Sequence, residues 1–297
     1  MNKQELESYQ KAGSIAKEIK QFAREKTKPG IALAELAELI ESKIIELGAE
    51  IAFPVNLAID DIAAHYTPSL NNKTPASGLL KIDIGVHVNG FIADTAITID
   101  LTPNNKHKEI IKTTEQALEN AIKIVQKDKE KTKINEIGKT IHKTITKAGF
   151  SPVKNLSGHS LDKYNIHAGI TIPNYDNGNE NLLGKGGFAI EPFATTGEGM
   201  VYEGEPSGIY ALIGNKSVRD PTARKILTWI KENKSTLPFS ERELERNFGA
   251  IARLGIKRLE EAGIIKSYGM LIEKSHKPVT QAEHTLIIYE GKVEVIS

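Results

Sequence analysis

The sequence predicts an α+β fold in which helices pack on one face of a mostly antiparallel sheet. Two observations predict it: helical periodicity followed by β-like runs occurs twice along the chain, and an Asn-Gly pair separates two alternating runs. A third sets the scale. With 297 residues, 39% hydrophobic and 26% charged, the chain can bury one full core but not several independent ones, so one large domain with an insert is expected.

Taken in order, apolar residues recur at helical spacing at Tyr9, Ala12, Ile15, Ala16, Ile19, Phe22 and Ala23, and again at Leu33, Leu36, Ile40, Ile44 and Leu47. Pro29-Gly30 separates these helices, and Gly48 ends the second as a C-terminal cap. A second pair is predicted from Ile110, Ile111, Thr114, Ala117, Ala121 and Ile124, then Ile134, Ile137, Ile141, Ile145 and Ala148. The lysine-rich connector 127–133 reads as a solvated loop. β-like runs cover 79–101, 187–193 and 283–296.

The opening segment is charged and amphipathic, with no basic stretch followed by an apolar core, and no apolar run reaches about 18 residues. A cytoplasmic protein without a signal peptide or membrane span is therefore expected. No cysteine is present, which rules out disulfides and thiolate chemistry, so any bound metal must use oxygen and imidazole nitrogen. A net charge of +1 supplies no global field for nucleic acid or anionic lipid.

The most informative stretch runs from Lys81 to Ile99 around Asn89-Gly90, a strong two-residue hairpin signal. If those two residues form the turn, Val88 faces Phe91, Asp83 faces Ala96 and Asp94 faces Gly85. Both aspartates then point to one face as diagonal neighbours, with backbones roughly 7–8 Å apart. Two carboxylates aimed at one point ask for a cation or a shared proton, and a pair of divalent ions is one solution. A solvated sheet face is the plainer reading. Glu191 in Gly-Phe-Ala-Ile-Glu191-Pro-Phe and Glu283 in Gln281-Ala-Glu283-His-Thr-Leu place single acids beside apolar runs, where an acid is costly unless a charge meets it. Singly, each could equally be a strand-end acid facing water. His159, in Leu156-Ser-Gly-His159-Ser, lies in a glycine-containing loop or strand end, and His284 should face away from Glu283. Oxygen and nitrogen ligands without sulfur suit Mn, Fe, Co or Zn pairs better than a closed structural zinc.

Five motifs then carry a resemblance. Phe53-Pro-Val-Asn-Leu-Ala-Ile-Asp-Asp-Ile-Ala-Ala-His65-Tyr-Thr-Pro, the Asp83 to Asp94 spacing, Gly-His159-Ser with Asn165-Ile166-His167-Ala-Gly, Ile-Glu191-Pro-Phe and Ala-Glu283-His-Thr occur in the order found in methionine aminopeptidases of type II. The chain resembles that family almost end to end. The resemblance implies a pita-bread fold and two divalent metal ions per chain, of cobalt, iron, manganese or zinc. Asp83 would chelate one, Asp94 and Glu283 would bridge both, and His159 and Glu191 would complete the other. It further implies that Glu191 shuttles a proton, that His167 and His65 act on the substrate at the scissile bond, and that Phe53 and Ile166 line a methionine pocket. Ile209 stands where some relatives carry a pocket histidine. The expected substrates are nascent polypeptide N-termini that begin with methionine, handled by a monomer working near the ribosome.

Residues 216–277 change character. Ser240-Glu-Arg-Glu243 is a capping-box pattern, and Ile251 to Ile265 resembles the last helix before a winged-helix ribbon. Between 221 and 277, 12 Lys and Arg stand against 7 Asp and Glu, an excess of +5. This raises a nucleic-acid-binding reading, which the interleaved Glu260 and Glu261 and the lack of stacking aromatics oppose. The expected organisation is a catalytic domain of 1–215 and 278–297 with a winged-helix-like insert at 216–277. The alternatives are a prolidase or aminopeptidase P, for which little chain precedes Asp83, and a non-catalytic nucleic-acid-binding relative.

Overall fold

The computed structural model describes residues 1–297. The first predicted pair becomes α1 (Lys3–Lys26) and α2 (Leu33–Glu46). α1 opens with a capping box: Asn2 Oδ1 accepts from the Glu5 amide and Glu5 Oε2 from the Asn2 amide, which pairs two amides that a helix start would leave bare. α2 ends as expected, with Gly48 in the left-handed region at φ +76°.

Then come β1 (Glu50–Ile59), β2 (Ile62–Ala64), β3 (Leu79–Val88), β4 (Phe91–Asp100), α3 (Lys108–Asp128), α4 (Ile134–Lys147), β5 (Ser151–Pro152), β6 (Ser157–Leu161), β7 (Thr171–Pro173) and β8 (Gly186–Ile190). They are followed by β9 (Phe193–Thr195), β10 (Val201–Leu212), α5 (Pro221–Lys234), β11 (Phe239–Ser240), α6 (Glu241–Phe248), α7 (Ile251–Glu261), β12 (Ile265–Glu273), β13 (Val279–Gln281), β14 (His284–Tyr289) and β15 (Lys292–Val295). The lysine-rich connector is shorter than expected, because α3 runs to Asp128 and a 3-10 turn takes Lys129–Lys131.

The strands hydrogen-bond in four orders: β1-β3-β4, β11-β10-β12-β2, β13-β9-β5 and β15-β14-β8-β6-β7. Every pairing is antiparallel. Each helix pair covers its own strands. α1 and α2 bury Ile19, Leu33, Leu36 and Ile40 against Val55, Leu57, Ile82 and Ile84, while α3 and α4 bury Ala117, Ala121, Ile137 and Ile141 against Phe188, Ile190, Leu286 and Ile288.

Between β10 and β12 the chain makes an excursion. The two strands pair with each other from Val201↔Glu273 to Leu212↔Ile265, so the chain leaves this strand pair at one residue and returns at its direct partner, with β11 added to the other edge of β10 on the way. α5, α6 and α7 pack around a separate apolar cluster that includes Ile226, Ile230, Phe239, Leu244 and Leu259. Ser240 caps α6 by accepting from the Glu243 amide at 3.1 Å, but the return contact of a capping box is not made. Glu243 turns instead to Lys234, at 2.6 Å. No helix is long and apolar enough to cross a membrane.

Candidate metal centre

Asn89 and Gly90 take positive φ angles of +53° and +87°, the backbone that a two-residue hairpin turn needs. The register follows as read from the sequence: Val88↔Phe91, Asp83↔Ala96 and Gly85↔Asp94. On the other edge of β3, β1 sets Asn56 opposite Asp83 and Phe53 opposite Gly85. Gly85 is required there, since a Cβ would lie 2.3 Å from the Phe53 ring.

Three distant segments close on this face. β8 ends at Ile190 and Pro192 cannot donate to a ladder, so Glu191 stands at the strand end. Glu283 sits between β13 and β14, and its amide donates to the Ala96 carbonyl at 3.2 Å. His159 on β6 pairs with Ala189 of β8, and its Nε2 lies 3.8 Å from Asp94 Oδ2. The donor atoms form two trios, Asp94, His159 and Glu283 in one and Asp83, Glu191 and Glu283 in the other, with the atoms of each within 4.8 Å of one another. Glu283 belongs to both. Glu191 groups with Asp83 here, whereas the resemblance pairs it with His159.

The electrostatics of this cluster are unfavourable on their own. Asp94 and Glu283 are 3% and 1% exposed, and Asp83 Oδ1, Asp94 Oδ1 and both Glu283 carboxylate oxygens have no hydrogen-bond partner. Burial pushes the Asp83 carboxyl up to about 7 against the hydrogen bond it accepts from Gln281. Asp94, Glu191 and Glu283 are driven well above the carboxylate range, first by burial and then by neighbouring carboxylates, Asp83 foremost for Asp94 and Glu191 and Asp94 for Glu283. Burial, and then His167, pulls His159 down to about 3, so it is a neutral imidazole able to donate a lone pair. Four crowded acids, three of them with bare oxygens, beside a neutral imidazole fit divalent cations.

Gln281 opens the Gln-Ala-Glu283 stretch, where nothing in the sequence gives it a role, and the structure supplies one. Its Nε2 donates to Glu191 Oε1 at 2.6 Å and to Asp83 Oδ2 at 3.2 Å, tying two acids from distant strands. Its strand position carries no signal that would single it out. Lys20 of α1 was also missed: its Nζ reaches Thr95 Oγ1 at 2.9 Å and His284 Nδ1 at 3.2 Å. His284 therefore faces away from the cluster, as the alternation of a strand requires.

Above the acids opens a cleft of about 350 Å³ whose lining includes Asp83, Asp94, His159 and Glu191 together with Phe53, His65, Ile166, His167, Ile209 and Tyr268. Every predicted site residue except Glu283 lines it, and Glu283 lies beneath. The His167 ring stands edge-on to His159 with centroids 4.5 Å apart, and the His65 ring edge-on to Tyr268 at 5.7 Å. Burial, followed by the nearby His167, takes His65 down to about 4, and burial lowers His167 as well, so both rings are neutral near pH 7.

The profile of metallopeptidase family M24 matches residues 7–220. The methionine aminopeptidase of Methanocaldococcus jannaschii is 42% identical over 297 residues, covering 98% of this chain and 99% of that protein. Among solved structures, a thermophilic Arx1 superposes with a TM-score of 0.82 at 18% identity, covering all of this chain and 91% of its own. The methionine aminopeptidase of Thermotoga maritima does so with a TM-score of 0.71 at 18% identity, covering all of this chain and 97% of its own. The fold is thus the pita-bread fold, a curved antiparallel sheet covered by helices. From the profile match and the near full-length likeness, the chain belongs to metallopeptidase family M24.

Proposed function

We propose that this protein is a methionine aminopeptidase of type II, which hydrolyses the first peptide bond of chains that begin with methionine. The observation that carries the reading is the floor of the cleft. Four acids and one neutral histidine from five segments bring donor atoms toward common points, and Asp83, Asp94 and Glu283 keep oxygens there without a partner. The full-length likeness to a methionine aminopeptidase supports the substrate.

Asp83, Asp94, His159, Glu191 and Glu283 would hold the metal pair. Divalent ions held there would supply Lewis acidity toward a peptide carbonyl and acidify water. The chain's own groups do the rest. Phe53 and Ile166 on the cleft wall form an apolar slot for an unbranched thioether. His167, neutral and beside His159, donates an N–H to charge developing on the carbonyl oxygen. His65 binds the substrate and handles a proton near the scissile bond. Gln281 holds Glu191 Oε1, which leaves the second oxygen free to take and pass on a proton.

Residues 216–277 are read as a winged-helix-like insert that walls the cleft, since Thr236 and Pro238 line it. Several of its basic residues are spent on acids: Arg253 lies 2.9 Å from Glu241 and 2.6 Å from Glu245, Arg258 lies 3.1 Å from Glu261, and Arg242 and Arg246 reach Glu38 and Glu41 of α2. That pairing disfavours a nucleic-acid reader. A cytoplasmic monomer acting on nascent N-termini completes the proposal. Its test is turnover of Met-Ala-Ser and Ala-Pro-Ala peptides with and without chelator. Chelator-sensitive release of methionine from the first is expected, and cleavage of the proline peptide alone would refute it.

A further inference from the structure

Arg242 of α6 is 0% exposed. Hiding a guanidinium is costly unless several acceptors meet it, and the acceptors here come from two separate places. On one side are Glu38 and Glu41 of α2. Nε lies 2.8 Å from Glu38 Oε1, off the line of a hydrogen bond, and Nη2 bonds to Glu41 Oε1. On the other side Nη1 donates to Thr67 Oγ1 at 3.0 Å and to the Pro68 carbonyl at 2.5 Å. The network extends further. The Thr67 hydroxyl donates to the Val55 carbonyl at 2.9 Å, the Val55 amide donates to Glu41 Oε1 at 3.2 Å, and Arg246 Nη2 donates to Glu41 Oε2 at 2.8 Å.

The segment tied in this way begins at Thr67, two residues after His65. His65 has φ +59°, a left-handed backbone that a residue with a side chain keeps only where its surroundings fix it from both sides. Before it, Ala64 pairs with Leu271 of β12. After it, the Tyr66 carbonyl accepts from the Leu57 amide at 2.7 Å and the Thr67 amide donates to the Ser207 carbonyl at 3.2 Å. Those backbone bonds hold the height of the segment. Among its side-chain hydrogen bonds, those from Arg242 tie it to α6 and, through Glu41, to α2.

We infer that Arg242 is a positioning residue for His65: through Thr67 and Pro68 it fixes the turn that aims this imidazole into the cleft, with Glu38 and Glu41 anchoring the guanidinium. The inference rests on the role given to His65 above. It assigns the helical excursion a part in the chemistry as well as in the cleft wall. Its contribution passes through one imidazole, so it should disappear when that imidazole is absent.

The experiment is a double-mutant cycle on the full-length, metal-reconstituted enzyme with Met-Ala-Ser as substrate. Arg242→Lys disturbs the guanidinium. Thr67→Val removes one acceptor while leaving the ion pairs in place, and so serves if the first variant folds poorly. Each should lower kcat/KM by about tenfold or more, and by less than about twofold when His65 is already alanine. Metal content should not change. In protein with 13C-labelled histidine, the His65 ring signal, assigned by its loss in His65→Ala, should move in both variants, while those of His107 and His142 stay. Equal losses with and without His65, or an unmoved His65 signal, overturn the inference. A His65→Ala enzyme with full turnover overturns the role of His65 itself, and the ring signal then judges the Arg242 contact separately.

Discussion

Replacing Asp83 by asparagine should make the metal-free protein more stable at neutral pH, and the gain should shrink in mild acid. An unfolded aspartate releases its proton near 3.8, whereas Asp83 in the folded chain holds its proton up to about 7. Between those values the unfolded chain binds fewer protons than the folded one, so the wild type loses stability as pH rises. Each pH unit is worth about 1.4 kcal/mol and the slope fades as pH passes the folded value, so from pH 5 to just above 7 the loss comes to between about 2 and 3 kcal/mol. The amide variant does not have this penalty. Relief of the charge that Asp83 places on Asp94 and Glu191 acts in the same direction. For a chain of 297 residues, an unfolding entropy of about 0.6 kcal/mol/K converts the difference to about 4 °C in Tm. Histidines that titrate in the same range are common to both proteins and cancel in the comparison. The assay is thermal unfolding of both proteins in chelator from pH 5 to 8, repeated with excess divalent metal. Metal at about a hundredfold over Kd should raise the wild type by about 2.7 kcal/mol and the variant by much less. Parallel Tm curves in chelator would show that the cluster carries no buried charge stress.

Gln281→Leu removes the only amide that bonds both Asp83 and Glu191, and metal affinity measured by calorimetry should fall about 10–100-fold. Gly85→Ala would put a Cβ 2.3 Å from the Phe53 ring, where ordinary contact begins near about 3.5 Å. The ring must retreat, so KM for methionyl peptides should rise about tenfold with little change in kcat, as steady-state kinetics would show. His87 is held down at about 4 by burial and then by Lys234, so it contributes stability above pH 6.5 that is lost as pH falls through 4. Against His87→Gln, the wild type should therefore lose about 3 kcal/mol between pH 6.5 and 4 in denaturant titrations.

The parts of this molecule that local chemistry dictates were legible in the sequence. Asn89-Gly90 admits essentially one hairpin register, and that register alone placed Asp83 and Asp94 on a common face. Glu191 and Glu283 were visible because an acid beside an apolar run needs a reason. β1 is hidden in the sequence: Pro54 and Asn56 break its alternation, and its pairing with β3 slips at Ile51/Phe53 and Phe53/Asn56. β10 and β12 were hidden similarly, since β10 carries Glu203, Gly204, Glu205 and Pro206 and the two strands pair with two register shifts. Gln281, Lys20 and Arg242 escaped for a different reason. Each is an ordinary polar residue in an amphipathic element, and its partners lie tens to hundreds of residues away. Only the folded chain shows which polar residues are spent on one another.

Because Leu212 and Ile265 are direct cross-strand partners, the 52 residues between them begin and end at the same place on the sheet. A two-residue turn would satisfy the backbone equally well. Chain connectivity therefore puts no lower limit on the length of this excursion, and a lineage could lengthen, shorten or exchange it without re-registering a single strand. What resists removal is the β11 edge on β10 and side-chain chemistry: an excised excursion would leave Glu38 and Glu41 facing each other with the guanidinium groups of Arg242 and Arg246 gone.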